Sequence, residues 1–168
     1  MDQFDVFLEK LLKNPSKDTI LSLNGISKKI KSMVHLTSQN YLMNNSSYYK
    51  IFFEDNSLLL IIPTKKEIYY SPNLDSKIES IDDADIGNKE IIKYQSKEYK
   101  LDNKNDYQYV LSLIVGNPLE SEGECRFSDY YPISGEKEML SLGWLSKNNQ
   151  RADIYCQFID LSNVKIIN

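Results

Sequence analysis

The chain has 168 residues, enough to bury a sizeable core, with 41% hydrophobic and 11% aromatic side chains. Twenty basic against 24 acidic groups leave a net charge of −4, which supplies no electrostatic pull toward phosphate backbones or anionic lipid. Nucleic acid is therefore not an expected partner. Two cysteines, Cys125 and Cys156, are too few for a disulfide scaffold and form no CxxC pair.

The first element in chain order is a helix: Phe4, Phe7, Leu8, Leu11 and Leu12 share one face, Asp2 can cap it and Asn14-Pro15 would stop it. Acids at Asp2, Asp5 and Glu9 stand where a signal peptide needs basic residues, and no apolar run approaches a membrane span, so a cytoplasmic chain with no membrane span is expected. A second helical pattern runs through ISKKIKSMV, where Ile26, Ile30, Met33 and Val34 fall on one face. Residues 1–40 are accordingly read as a helical N-terminal segment of a single domain covering residues 1–168.

From residue 41 to residue 168 the pattern is that of strands. YYKIFFE, a turn at Asp55-Asn56, LLLII and EIYYS form a meander, each short, aromatic or β-branched, and punctuated by Asn, Asp, Ser or Pro. EIIKY, EYKL, YQYVLSLIVG, ECRFSDYYP, EMLSLGWL and RADIYCQF follow, separated by short turns. The fold class is α+β, mostly β: an antiparallel sheet or open barrel of about seven or more strands, with a short helical N-terminal segment. In EMLSLGWL, Trp144 shares strand parity with Leu140 and Leu142 and is expected in or beside the core.

The stretch 120–131, ESEGECRFSDYY, surrounds Cys125 with Glu120, Glu122, Glu124 and Asp129. Strand alternation puts Cys125, Phe127 and Asp129 on one face and Glu122, Glu124, Arg126 and Ser128 on the other. Cys125 thereby reads as an inert core thiol. Glu122, Glu124 and Asp129 are the weak candidates for a carboxylate-held Mg²⁺ or Mn²⁺, against the simpler reading of lysine-paired surface acids. The acidic stretch 73–90 approaches a calcium loop in Asp83 and Asp85, yet Ala84 or Gly87 falls where an EF-hand needs an oxygen ligand. A solvated loop is expected there.

His35 is the only histidine and has no GxSxG serine as companion, and the six glycines are scattered singly, so neither a triad nor a phosphate loop can be assembled. No catalytic residue and no cofactor is assigned. The tyrosine pairs Tyr48-Tyr49, Tyr69-Tyr70 and Tyr130-Tyr131 would each place one ring inward and one outward, either as cross-strand packing or as an aromatic binding face.

The run EGECRFSDYYPISGEKEMLSLGWL, the turn KNNQ and RADIYCQFIDLSNVKII resemble the closing hairpins of uncharacterised bacterial β-rich families that include the YjfK-like proteins. The resemblance covers about the last third of the chain, and YYKIFFEDNSLLLIIP more loosely. It implies an all-β core without an established active site and a link to membrane stress or transport. The reading expected for this chain is a non-catalytic binding or accessory module with a protein partner. The alternative is a metal-assisted, carboxylate-dependent hydrolase using Glu122, Glu124 and Asp129 or the acidic stretch 73–90.

Overall fold

In the computed structural model the described residues are 1–38, 47–74, 77–118, 125–145 and 149–167, with the side chains of residues 38 and 103–106 left aside. Helix α1 (Gln3–Leu12) begins where Asp5 N–H donates to Asp2 Oδ1 at 2.9 Å and ends before Asn14, whose φ of 59° breaks the helical path ahead of Pro15. Strands β1 (Ile20–Leu23) and β2 (Ile26–Ser38) form a hairpin, followed by the meander β3 (Tyr48–Phe53), β4 (Leu58–Ile62) and β5 (Glu67–Ser71). The remainder is β6 (Ile91–Tyr94), β7 (Lys97–Val115), β8 (Cys125–Pro132), β9 (Glu138–Leu145), β10 (Gln150–Arg151), β11 (Ile154–Phe158) and β12 (Val164–Ile166).

The strand pairings close on themselves. The hydrogen-bonded order β2-β3-β4-β5-β11-β9-β8-β7 returns to β2 through the β2–β7 ladder, and every pairing is antiparallel. The architecture is thus the expected antiparallel one with an N-terminal helix, but the barrel is closed rather than open. Strand β7 makes closure possible, because its 19 residues are long enough to pair with β6 at one end and β2 at the other while β8 runs along its opposite edge.

The second expected helix is a strand. Residues Ile26–Ser38 are β2, paired to β1 at its start, to β3 along its length and to β7 at its end. Its apolar spacing imitates a helix because a register shift between Ile30 and Ser32 interrupts the two-residue alternation. The decisive local signal is Asn24-Gly25: both residues have positive φ, 51° and 81°, and join Leu23 to its partner Ile26 in a two-residue hairpin. Of residues 1–40, only Gln3–Leu12 is α-helical among the described residues.

Alternation along the strands divides the core into layers. Val34, Leu36, Phe52, Leu58, Leu60, Ile62, Tyr69, Met139, Ile154 and Cys156 fill the barrel. Leu59, Ile61, Ile51, Phe53 and Met33 point outward and are covered by Phe4, Phe7 and Leu11 of α1. On the opposite wall Tyr130, Leu140 and Leu142 point outward beneath Ile81, Ile86 and Ile92, with half-buried Trp144 beside them, as its strand parity predicts. Leu8 is half-buried whereas Leu11 is 2% exposed, so Leu11 is the better probe of helix docking. Leu11→Ala is expected to destabilise the chain by about 2–5 kcal/mol in urea unfolding; an unchanged midpoint would mean that α1 does not dock.

Candidate functional site: a polar chamber inside the barrel

An apolar barrel interior would be filled by hydrocarbon alone, yet this one contains a polar set. Tyr48, Lys50, Gln108, Asp129, Ser141 and Cys156 share with Leu58, Leu60, Ile62, Phe127, Tyr131, Met139 and Ile154 the lining of a cavity of about 50 Å³. Alternation explains each placement: Tyr48, Lys50 and Phe52 are every second residue of β3, and Phe127, Asp129 and Tyr131 are every second residue of β8.

Lys50 and Gln108 form the centre. Lys50 is 4% exposed and Gln108 is 3% exposed. Lys50 Nζ donates to Gln108 Oε1 at 2.9 Å, and Tyr48 Oη donates to the same oxygen at 3.0 Å. Those two donors fix the amide orientation, since a flipped amide would aim its NH₂ at an ammonium. Gln108 Nε2 therefore points elsewhere, and it is buried with no hydrogen-bond partner among the described residues. Lys50 Nζ also lies 4.7 Å from the centre of the Phe127 ring, while no carboxylate among the described residues pairs with it.

Asp129 lines the same cavity and has an interaction of its own. Burial, followed by the Asp129 carboxylate, drives the Cys156 thiol far above its ordinary pKa, with Lys50 opposing. Cys125 is 1% exposed and packs with Phe127 and Leu145, on the face strand parity assigned to it. Both thiols are expected to resist an aromatic disulfide reagent at neutral pH until denaturant is added, and rapid native labelling would contradict their placement.

A wider cavity, about 550 Å³, occupies one end of the barrel. Phe52, Phe127, Leu145 and Ile154 form its apolar wall, Lys17 and Lys31 stand at its rim, and Phe127 and Ile154 are common to both cavities. Gly116, with φ of 61°, lets the chain leave β7 here, where an added Cβ would sit 3.0 Å from Lys31 O.

The remaining candidates from the sequence fall apart in space or outside view. Glu120, Glu122 and Glu124 lie outside the described residues. Among the described residues no group of three or more His, Cys, Asp or Glu side chains is placed to hold a metal ion. Asp83, in the acidic stretch, pairs with Arg151 at 2.7 Å, and Asp85 sits 3.5 Å from Lys89. The six tyrosines separate by face. Tyr48 and Tyr131 line the chamber and Tyr69 is buried beside Glu67; Tyr49 stacks outside on His35, Tyr70 packs near Lys28, and Tyr130 is fully buried, donating to Lys89 O and accepting from Gly87 N–H.

His35 Nε2 is 2.7 Å from Ser47 Oγ, and burial lowers the histidine pKa. Among the described residues no carboxylate orients the other ring nitrogen, so the pair lacks the third member of a triad. Glu138 is a buried carboxylate satisfied on three sides, by Lys97 (2.8 Å), Tyr99 Oη (2.7 Å) and Tyr155 Oη (2.8 Å). Although burial opposes it, these donors hold its pKa below the ordinary range. Its contribution to stability is thus complete above that range and lost as pH falls through the lowered folded value.

Sequence reasoning passed over Lys50 and Gln108. Both carry a legible signal: in YYKIFF a lysine takes the parity of an inward Phe, and in YQYV a glutamine takes the inward position between two outward tyrosines. Compared with protein-family models, curated proteins and solved structures, the chain matches none.

Proposed function

We propose that the protein is a non-catalytic binding module whose closed barrel receives a small molecule. The observation that carries this reading is Gln108 Nε2, a donor held inside the barrel without an acceptor among the described residues, beside a cavity that shares Phe127 and Ile154 with one of ligand size. A buried amide left unsatisfied costs free energy, and an acceptor on a bound molecule removes that cost. A screen of small molecules against the full chain carrying ¹³C-labelled methyl groups tests it. Binding should move the inward methyls of Leu58, Leu60, Ile62 and Ile154 and spare the outward methyls of Leu59 and Ile61. Compounds at millimolar concentration that move none of the inward methyls would remove the basis for this function.

A protein partner is the second reading, favoured by five apolar residues of β7. Tyr107, Tyr109, Val110, Leu111 and Leu113 are each at least 36% exposed, where register shifts against β2 disturb the alternation. A cytoplasmic setting belongs to the same proposal, supported by two buried cysteines that form no disulfide. The link to membrane stress or transport rests on the C-terminal resemblance alone.

A further inference from the structure

We infer that the molecule the barrel receives is an amphipathic monocarboxylate, its carboxylate held by Lys50 Nζ and Gln108 Nε2 and its hydrocarbon chain lying along Phe127 and Ile154 toward the wide end. The inference rests on the binding reading above and names its ligand class.

The headgroup follows from the donors. Lys50 has three ammonium protons, of which one is used by the neutral Gln108 Oε1. A buried ammonium without a counter-ion is costly, and nothing among the described residues supplies one within ion-pair distance. The unused amide donor of Gln108 belongs to the same planar amide whose oxygen Lys50 grips, and both residues line the inner cavity. Adjacent cationic and amide N–H donors match the two oxygens of one carboxylate. The inner cavity, at about 50 Å³, has room for a headgroup and not for a whole ligand.

The tail follows from the walls. Phe127 and Ile154 are shared by the two cavities, and Phe52 and Leu145 extend the apolar lining into the larger volume of about 550 Å³. A phosphate or a short dianion would leave that lining bare, whereas an alkyl chain covers it. Among the described residues Asp129 is the one carboxylate lining the inner cavity, and its charge opposes the ligand's.

Decanoate and decanol, titrated below their aggregation limits into the full chain by calorimetry, separate head from tail. Decanoate is expected to bind at least about tenfold more tightly than decanol, the scale of a charge-assisted hydrogen bond. Lys50→Met should erase that preference. Gln108→Glu should erase it too while retaining cooperative unfolding, because it gives Lys50 an internal carboxylate, and it keeps the test intact if Lys50→Met folds poorly. Asp129→Asn should tighten decanoate binding. Equal binding of the two probes, a preference that survives both variants, weaker decanoate binding by Asp129→Asn, or no binding of either probe would each overturn the carboxylate inference. The binding reading itself stands or falls separately, on whether any compound moves the inward methyls.

Discussion

Asp153→Ala is expected to cost the chain about 3–5 kcal/mol, the scale for breaking a buried ion pair from one side. Asp153 is 2% exposed, and its partner Arg151 is 7% exposed. Arg151 Nε donates to Asp153 Oδ1 at 3.2 Å, and Nη2 lies 3.0 Å from Oδ2. The same carboxylate accepts Ile78 N–H at 2.7 Å, while Arg151 Nη1 donates to Ile81 O at 2.6 Å and to Asp83 at 2.7 Å. The pair therefore ties the barrel wall to the segment carrying Ile78, Ile81 and Asp83. Truncating Asp153 orphans the Ile78 amide and leaves the guanidinium without its buried counter-charge. Urea unfolding followed by far-ultraviolet circular dichroism measures the loss, and a change below about 1 kcal/mol would show that the pair does not anchor that segment. Replacing Arg151 and Asp153 together by Met and Leu should recover part of the loss, because no charge is then stranded.

Gly143→Ala should be comparably severe, above about 3 kcal/mol, for a steric reason. Gly143 pairs with Phe127 across the β8–β9 ladder, and its backbone angles are ones any residue can adopt. A Cβ added there would nevertheless collide with the backbone oxygen of Arg126 and lie 2.8 Å from Phe127 Cα. The obstructing atoms are backbone, so relief requires the two strands to separate. The neighbouring Ala152 N–H donates to Gly143 O at 2.9 Å and would be displaced with it. Thermal unfolding checks this; a melting temperature within a few degrees of wild type would show that the strands part at little cost. Gly135→Ala is the contrasting case: nothing lies within 4 Å of the added atom, so any penalty there comes from its φ of 86°.

Local chemistry alone determined much of this protein. The period of Phe4, Phe7 and Leu11 specified the helix, and two-residue alternation in YYKIFF and CRFSDYYP specified which side chains face inward. Cys125 and Phe127 were legible as core for that reason. Alternation also split each tyrosine pair between faces, but could not say what covers the outward ring: Tyr130 is buried by residues more than forty positions away. The ISKKIKSMV segment was misread because helix-like spacing in a bulged strand is decided by its neighbours, β1, β3 and β7, whose ladders outweigh intrinsic preference. Closure of the barrel depended on the long-range β2–β7 pairing, which no local pattern encodes. The candidate site shows the same division. The sequence places Lys50 and Gln108 inward on their own strands, but they are 58 positions apart. Only ring closure brings them within hydrogen-bond distance, and only the packed interior buries the lysine against the amide and leaves Gln108 Nε2 without a partner among the described residues.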